Sequence, residues 1–589
     1  MRTYILALTK YGIVAVMIAY TILSFYLLVQ KDRQKVRRLT LVENILILVY
    51  QLISYFTLYV ALGDGRYMLF AVLVIAAFFA IFLLYRTLYR HANMPLFNNM
   101  CMLLSVGLVV QSRLSFDNAV HQMMIASVGL VIAFTLPMLR GQMRLLKNFG
   151  YGYGFIGIGI LSVVMLLGAT TLGANITYTI AGVTFQPSEF VKILYILFLA
   201  STLREVHDFK SLVIVTVFAA AHVLVLVGST DLGSGLIFFV VYLFMAFLAT
   251  GEWWILAAGF GLGGAGAVAC YFMFSHIQQR VQAFIDPWSL IDSIGYQVTQ
   301  SLFAIGAGGL FGVGLGQGTP SDVPFVESDF VFAAVCEELG QLVGVCVILV
   351  GISCFIVMLE LAAGFADRFY RLMAYGAGIC YIFQMFLTLG GQTKFIPLTG
   401  VTLPFISYGG SSILSTLIIF TMVEAMCILR GEKLEELQRK QARQARLQER
   451  ARQGERTRQL RAVSASGRRR GDAYVSGTAA MRRREDAYTA YASENSGLPR
   501  RRSEGTYASS SSARTTRRRN EGTYASSGAA GTVRRRSEGT YASSAAEMPR
   551  YRSGSAYASQ AAGRMSYAAE PYSGRRITTA SDDEGFYDD

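Results

Sequence analysis

The segment PLTGVTLPFISYGGSS, residues 397–412, lies between two long apolar stretches of the chain. Its two prolines, its glycine pair and its hydroxyl side chains are unsuited to a lipid-facing helix. At membrane depth, non-helical backbone persists only where protein buries it or water reaches it. Gly409 and Gly410 would allow positive φ or a close approach of the backbone to a ligand. The segment therefore predicts either the start of a kinked helix with a serine cap or part of a functional site.

The composition around this segment predicts a membrane protein. Of 589 residues, 53% are hydrophobic and 15% are charged, and the apolar runs fall almost entirely within residues 1–430. A soluble chain carries about a quarter charged residues. The seven cysteines and five histidines lack metal-ligand spacing, so no metal site is predicted. The first apolar run has no cleavage pattern behind it and is expected to remain as a membrane span.

Thirteen segments are apolar enough and long enough to cross a membrane, which takes about 20 residues. They predict an all-α polytopic membrane protein. The segments lie near residues 8–30, 40–62, 66–86, 98–114, 119–139, 152–172, 187–203, 210–228, 232–250, 253–274, 330–360, 370–391 and 404–429.

Loop charges predict the orientation of these spans. Basic loops at 31–38, 86–91, 139–147 and 367–371 fall on one side if all thirteen segments cross, and the loops on the other side are poor in Lys and Arg. Cytoplasmic loops carry the excess of positive charge. We therefore expect an outside N-terminus and a cytoplasmic C-terminal tail.

The segment FQPSEFVK, residues 185–192, allows two interpretations. Pro187 suits the first turn of a helix and Glu189 suits its N-terminal dipole. Lys192 lies three residues after Glu189, on the same helix face. A capped helix with a local ion pair is one interpretation. A functional site is the other, because an ionisable residue within an apolar run is a functional hypothesis by default.

Three more acidic positions precede or open apolar helices. Asp231 opens a span, which is ordinary capping behaviour. Asp329 ends the long segment 275–329 at the mouth of another apolar helix, where it could be a cap or a functional group. Glu337 and Glu338 lie about two turns deeper, where a carboxylate must face protein or water.

The glycines of the segment 275–329 match no nucleotide-binding pattern, since no Lys-Ser or Lys-Thr follows them and no strand precedes them. An irregular, glycine-rich surface or re-entrant loop is expected instead, and long loops are often functional. This outer segment also carries Arg280, and the segment 391–412 carries Lys394.

The strings QPSE (186–189), ESDFVF (327–332), EELG (337–340) and PLTGVTLPFISYGGSS together resemble the signatures of the SEDS family (shape, elongation, division and sporulation), which includes FtsW, RodA and SpoVE. The resemblance implies a ten-helix core, residues 97–430, that polymerises peptidoglycan glycan strands from lipid II. Residues 1–96 would add about three helices with no evident chemistry, a lipid-facing or partner-facing addition. The string GGQTKFIPLTG looks more FtsW-like than RodA-like.

The resemblance makes Asp329 the carboxylate implicated in catalysis. A general base must take the proton of the acceptor hydroxyl, and positive charge must stabilise the departing pyrophosphate. Candidates for that positive charge are Lys192, Lys394 and Arg280. The full substrate-binding set comprises Lys192, Glu189, Gln186, Arg280, Lys394, Ser407, Tyr408, Gly409, Gly410 and Ser411, supported by Asp231, Glu337, Glu338, Pro187 and Pro404.

The chain departs from the family pattern at three places. The Arg-Trp pair that commonly precedes QPSE is absent, and Ile176 and Thr177 stand near those positions. Thr230 replaces the usual Pro before Asp231, and Ser328 replaces the usual Thr before Asp329. Another cation would then have to hold the phosphate in this chain.

The resemblance also implies partners and alternatives. The expected partners are lipid II, a class B penicillin-binding protein acting as transpeptidase, and other divisome or elongasome membrane proteins; a divalent cation, Mg²⁺ or Mn²⁺, is expected and no organic cofactor. A lipid II flippase is the alternative function, since broken helices and polar residues at membrane depth suit transport too. A non-catalytic scaffold is the third. Division, elongation and sporulation are not distinguished by the sequence.

The C-terminal tail differs in kind from the rest. Residues 431–461 predict a solvated cytoplasmic helix, and residues 462–589 predict a disordered basic segment in which RRRSEGTYASS-like units recur at 500–510, 517–527 and 534–544. The tail holds 31 Lys and Arg against 19 Asp and Glu. Attraction to an anionic inner leaflet or binding of a cytoplasmic division protein is expected, and no nucleic-acid reader accompanies it.

Overall fold

The structure is a computed structural model. It describes the backbone of residues 1–139, 142–167, 169–171, 174–180 and 183–493, and the side chains of residues 1–138, 145–167, 185–466 and 474–487. The described chain is almost entirely helical, as predicted. Its α-helices are α1 (Arg2–Val29), α2 (Arg33–Leu62), α3 (Arg66–Leu88), α4 (Met94–Leu114), α5 (Phe116–Thr135), α6 (Gly150–Leu167), α7 (Pro187–Leu203), α8 (Phe209–Gly228), α9 (Leu232–Thr250), α10 (Trp254–Met273), α11 (Ser275–Ile285), α12 (Tyr296–Gly308), α13 (Val331–Ala334), α14 (Gln341–Ala363), α15 (Arg368–Gln392) and α16 (Gly410–Ser493).

A short antiparallel sheet interrupts the all-α pattern. Its strands are β1 (Ala169–Thr171), β2 (Ala174–Ile180) and β3 (Val183–Phe185), in the order β1-β2-β3. The predicted span 152–172 is therefore too long at its C-terminal end, because α6 stops at Leu167. Threonine and isoleucine favour strands over helices in this stretch. Ile176 and Thr177, which stand near the positions of the family's Arg-Trp pair, lie on β2.

Twelve helices of the described residues are long and apolar enough to cross a membrane. They coincide with twelve of the thirteen predicted segments, although the predicted span 330–360 begins only at Gln341. The thirteenth segment, 187–203, forms the 17-residue helix α7, at the lower limit of a spanning length.

Contacts between loops divide the helix ends into two faces. On one, the candidate-site face, Arg66 lies 5.0 Å from the ring centre of Phe116, and Asn118 donates to Glu327 at 2.7 Å. On the other, the tail face, Lys147 pairs with Asp367. These pairs join loops that the alternation of thirteen spans places on the same side.

Helix α7 has one end at each face. At its start, Ser188 donates to Asp231 at 3.2 Å on the candidate-site face. Near its end, the Arg204 guanidinium lies 6.0 Å from the ring centre of Phe369, beside Asp367 on the tail face. These contacts show that α7 runs from one face to the other, as the twelve other spans do.

The three N-terminal helices pack on the core through a polar seam. Along α4, Asn98 donates to Glu43 at 2.9 Å, and Gln51 donates to Ser105 at 2.7 Å. Tyr20 of α1 donates to Asn99 at 2.9 Å. Hydrogen bonds between membrane helices each contribute about 0.6 kcal/mol on average. Helices α1 and α2 therefore cover α4 and α14, while apolar side chains such as Leu8 and Ile22 remain exposed on α1. A lipid-facing or partner-facing role for these helices stays a prediction.

Helix α16 continues beyond the membrane to Ser493. Residues 431–461 are helical and exposed over most of their length, in line with the solvated helix expected there. The helix also includes residues 462–493, where disorder is predicted, because Ala, Arg, Glu and Gln are good helix formers. The repeats at 500–510, 517–527 and 534–544 lie outside the described residues.

Candidate functional site

A cavity of about 400 Å³ opens among α11, α12 and two connecting segments. Asp329, Arg280 and Lys394 all line it, although 114 residues separate Arg280 from Lys394 along the chain. The fold thus brings together the predicted base and two of the three predicted cations. The rest of the wall mixes amides with apolar side chains, among them Gln279, Gln297, Phe284, Ile294 and Ile396.

Asp329 sits in a turn in front of α13. Its N–H donates to the carbonyl of Phe325 at 3.0 Å, and Phe325 has a φ of +57°. The helix begins at Val331 with Phe330 as its N-cap, and no side chain of the N-cap residue bonds to it. The interpretation of Asp329 as a helix cap is therefore wrong.

The N-terminus of α13 is capped from elsewhere in the chain. The side-chain oxygen of Gln392 accepts the N–H of Phe332 at 2.8 Å and that of Ala333 at 3.3 Å. Gln392 is fully buried, and its carbonyl accepts from Ser301 at 3.0 Å. Because Gln392 accepts these N–H groups, the half-buried carboxylate of Asp329 is not needed as a helix cap and lines the cavity instead.

Asp329 and Arg280 both lie beside Gly400. A Cβ atom on Gly400 would lie 3.5 Å from Nη2 of Arg280 and 3.8 Å from Oδ2 of Asp329. Gly400 has a φ of +71°, which L side chains rarely adopt. Glycine here therefore allows the backbone turn, while an added Cβ would make only ordinary contacts with the two charged side chains.

The surroundings shift the proton affinities of both groups. Burial raises the pKa of Asp329 above its usual value, while the Ser328 hydroxyl and the Arg280 charge oppose the rise. Burial lowers the pKa of Arg280, and Asp329 and Asp231 counteract that fall. A raised pKa makes a carboxylate a stronger base, so Asp329 is suited to accepting a proton.

The two cations are held by different elements. Arg280 lies on α11, and its Nη1 donates to the carbonyl of Leu398 at 3.3 Å. Lys394 lies after α15 and has a φ of +55°. A non-glycine residue in this region is strained by on the order of 1 kcal/mol or more, and such residues cluster at functional sites.

The segment 397–412 holds the backbone beside Asp329. Ser407 donates its hydroxyl to the carbonyl of Ser328, and the N–H of Tyr408 donates to the carbonyl of Glu327 at 2.7 Å. Ser407 also accepts the N–H of Leu403 at 2.8 Å. The contacts of Ser407 and Tyr408 thus place the candidate base, and Pro404 is buried behind them.

Gly409 and Gly410 have ordinary negative φ, so the positive φ considered for them is wrong. Within this segment the positive values belong to Gly400 and to Phe405, at +71° and +68°. A Cβ on Gly410 would come within 2.6 Å of Ile125. The close approach at Gly410 is therefore to a neighbouring helix.

Glu189 and Lys192 form a buried pair away from the cavity. Lys192 Nζ lies 2.6 Å from Glu189 Oε2 and donates to Gln384 at 2.7 Å. Ser415 donates to the same oxygen of Glu189 at 2.8 Å. Lys192 is 3% exposed and does not line the cavity of Asp329. The predicted ion pair is present, and the structure separates it from the other predicted cations.

Helices α7 and α9 start side by side. Pro187 is the first residue of α7, and the N–H of Gln186 donates to the hydroxyl of Ser411 at 3.0 Å. Asp231 accepts from the N–H of Ser234 at 3.1 Å and caps α9, as its position predicted. These residues join α7, α9 and α16 near the candidate-site face.

Glu337 and Glu338 lie in a π-helical turn, Val335–Leu339, between α13 and α14. Glu338 pairs with Arg113 at 2.8 Å and accepts the N–H groups of Gly316 and Gly318 at 3.0 and 3.2 Å. Glu337 accepts the N–H of Thr319 at 2.8 Å. Both carboxylates therefore face protein and fix a glycine-rich loop.

Sequence reasoning missed His276, Gln297 and Gln392. His276 lies four residues before Arg280 on α11, and both line the cavity. The i, i+4 spacing on a polar, loop-flanked helix was the available signal. Gln392 gave no such signal, because its capping partner lies 60 residues away in the chain.

No group of three or more His, Cys, Asp or Glu in the described residues could hold a metal ion. Asp329 is the one carboxylate among the residues that line the cavity. Mg²⁺ usually takes one or two carboxylates and completes its shell with water and substrate phosphates. The residues present therefore suit a divalent cation only together with a phosphorylated ligand.

The fold and the cavity define a polytopic membrane protein with a carboxylate and two cations facing one cavity beside its spans. Comparison with known proteins gives the family. Residues 86–430 match the FtsW, RodA and SpoVE family, described as "Cell cycle protein", and the chain belongs to it.

Curated relatives agree with this assignment, and a solved structure shares the fold. The chain is 36% identical over 352 residues to the peptidoglycan glycosyltransferase RodA of Mycobacterium tuberculosis (strain ATCC 25618 / H37Rv), covering 54% of this chain and 74% of that protein. It is 33% identical over 284 residues to the probable peptidoglycan glycosyltransferase FtsW of Geobacter sp. (strain M18), covering 45% and 74%. One chain of a peptidoglycan synthase complex matches the fold with a TM-score of 0.51 at 24% identity, covering 57% of this chain and 97% of that chain.

Proposed function

We propose that the chain is a peptidoglycan glycosyltransferase that polymerises lipid II into β-1,4-linked glycan strands and releases undecaprenyl pyrophosphate. Membership of the family and the activity named for its relatives support the reaction class. The observation that carries the assignment of the site is that Asp329 and Arg280 both lie beside Gly400 in a cavity that Lys394 also lines.

In this proposal Asp329 is the general base. The 4-hydroxyl of the acceptor GlcNAc attacks the anomeric carbon of the donor MurNAc, and Asp329 takes the hydroxyl proton as the new C–O bond forms. The bond between that carbon and the pyrophosphate oxygen breaks, and the electron pair leaves with the pyrophosphate. Fixed positive charge at the leaving group stabilises this transition state.

Arg280 and Lys394 supply that charge in the proposal, because they share the cavity with Asp329. Lys192 is assigned a supporting role inside the bundle, since Glu189 and Gln384 already engage its ammonium group. A divalent cation, if bound, would be held chiefly by the substrate phosphates and would supply further positive charge at the leaving group.

We further propose a class B penicillin-binding protein as transpeptidase partner. The match to one chain of a peptidoglycan synthase complex supports a fold compatible with such an assembly. For orientation, we propose that the candidate-site face and the N-terminus lie outside the cytoplasmic membrane and that the tail lies inside. The basic loops of the tail face, such as 31–38 and 139–147, support this orientation.

The preference for an FtsW-like branch finds no support among the relatives. RodA-named relatives are 35–36% identical to the chain, and the FtsW-named relatives compared are 31–33% identical. We therefore propose a role nearer to that of the RodA-named relatives, in cell-shape maintenance, over one in septation.

Polymerisation of lipid II by the purified full-length chain with its cognate penicillin-binding protein tests the proposal. We expect glycan strands from the wild type and none above background from Asp329→Asn. A chain that moves lipid II across vesicles without making strands would instead be a flippase. A chain that does neither and binds partners through its tail would be a scaffold.

A further inference from the structure

Helices α1 and α2, which precede the family match, contact a loop on the candidate-site face. The glycine-rich loop, residues 309–319, touches α1 where the ring of Tyr11 meets Phe311 edge-on at 5.5 Å. It touches α2 at Gly316, where an added Cβ would lie 2.8 Å from the Cβ of Ala61. The φ of Gly316 is +79°, so both the turn and the contact require glycine.

The same loop is fixed on its other side by the π-helical turn. Besides the carboxylate bonds of Glu337 and Glu338 described above, the N–H of Val313 donates to the carbonyl of Glu337 at 2.8 Å. The N–H of Gly314 donates to the carbonyl of Glu338 at 3.0 Å. The glycine-rich loop therefore lies between the N-terminal helices and the turn that follows α13.

Asp329 lies on the chain between these two attachments. The glycine-rich loop leads through residues 320–328 to Asp329, and α13 leads from Asp329 to Glu337. Pro324 and Phe325, on the intervening stretch, line the cavity. A shift of the glycine-rich loop would therefore act on Asp329 from both directions.

We propose that α1 and α2 brace the glycine-rich loop and thereby hold Asp329 in its working position, with Tyr11 and Ala61 as positioning residues. The inference rests on the proposed role of Asp329. It gives the N-terminal helices a part in the reaction, through contacts at the membrane surface, in addition to their polar packing on α4.

Two variants disturb the brace at separate points. Ala61→Leu adds bulk where α2 already touches Gly316, and Tyr11→Ala removes the ring that meets Phe311. Ala76→Leu on α3 and Tyr4→Ala on α1 make the same changes at exposed positions and serve as matched controls. Tyr11→Phe keeps the ring contact and should restore wild-type behaviour.

Two measurements on the purified full-length chain with its penicillin-binding protein decide the matter. A misplacement of about 1 Å at an active site can cost on the order of 100-fold in rate. We expect Ala61→Leu and Tyr11→Ala to lower kcat for lipid II polymerisation by about tenfold or more, with KM unchanged within about twofold. Hydrogen exchange at the amides of Val313 and Gly314 should become faster in both variants and stay unchanged in the controls.

Unchanged exchange, or faster exchange with unchanged kcat, would overturn the brace. If Ala61→Leu fails to fold, Tyr11→Ala and its Tyr11→Phe partner carry the same test. Asp329→Asn separates the two ideas: full activity in that variant removes the proposed base, whereas hydrogen exchange tests the contact of α1 and α2 with the glycine-rich loop independently of Asp329.

Discussion

The side-chain oxygen of Gln392 accepts the N–H of Phe332 at 2.8 Å, so the helix behind Asp329 is capped from a residue 60 positions further along the chain. Asp231, by contrast, caps its own helix through Ser234 at 3.1 Å. Asp231 and Asp329 both precede an apolar helix in the sequence. In the structure Asp231 caps its helix, whereas Asp329 lines the cavity.

Replacing each aspartate by asparagine should distinguish the proposed general base from the helix cap. Loss of a general base typically lowers a rate by about 10²–10⁴-fold, so Asp329→Asn should nearly abolish lipid II polymerisation with normal expression and partner binding. Asparagine caps a helix about as well as aspartate, so Asp231→Asn should cost less than about 1 kcal/mol of stability and be milder in activity. Near-normal strand synthesis by Asp329→Asn would contradict the assignment.

The pH dependence of polymerisation should report the charge of Arg280. Burial raises the pKa of Asp329 above about 3.9, the ordinary pKa of aspartate. Because a protonated carboxylate cannot accept a proton, activity should fall as the pH drops through this raised pKa. Arg280→Gln removes a charge that opposes the rise, and the acidic limb should move to higher pH. Arg66→Gln, on the same face but outside the cavity, is the control and should leave the limb in place.

Substitutions at Lys394 that relieve its backbone strain should maintain or raise stability and lower the rate of polymerisation. Its φ of +55° suits glycine or asparagine better than lysine. Lys394→Gly and Lys394→Asn should therefore unfold at the same temperature as the wild type or higher, yet polymerise more slowly because a cation is gone. Lys394→Arg should retain activity. Equal rates in all three variants would show that the charge is dispensable.

Reporter fusions should establish the orientation. The Asn118–Glu327 and Lys147–Asp367 contacts each require an even number of crossings between the two loops that they join, and α7 completes that number. Alkaline phosphatase and GFP fused at residue 1, at 64, at 300 and after 430 should report outside, outside, outside and inside. A fluorescent cytoplasmic reporter at the N-terminus would break this arrangement.

The tail should localise the protein without taking part in the reaction. Truncation after about residue 460 removes the repeats and most of the excess positive charge, which is attracted to anionic lipid. Polymerisation in vitro should remain, while the distribution of the protein in the membrane should change on microscopy. A folded, truncated chain without polymerase activity would refute this division of labour.

The membrane class, nearly all of the spans and the candidate site residues could be predicted from the sequence. An apolar run of about 20 residues forms a helix in a bilayer, because every backbone N–H and C=O group must be hydrogen-bonded within the segment. The Glu189–Lys192 pair and the Asp231 cap were predictable too, since their partners lie within three residues. Local rules sufficed where the partners were local.

Which of these residues share a cavity depends on the packing of the helices. Arg280 and Lys394 meet Asp329 in one cavity, while Lys192 is buried elsewhere, and no spacing in the sequence distinguishes the three cations. The cap supplied by Gln392 and the contact of Ala61 with Gly316 join segments that are distant in the chain. Such contacts depend on how the helices pack, and packing is set by the shapes of many side chains at once.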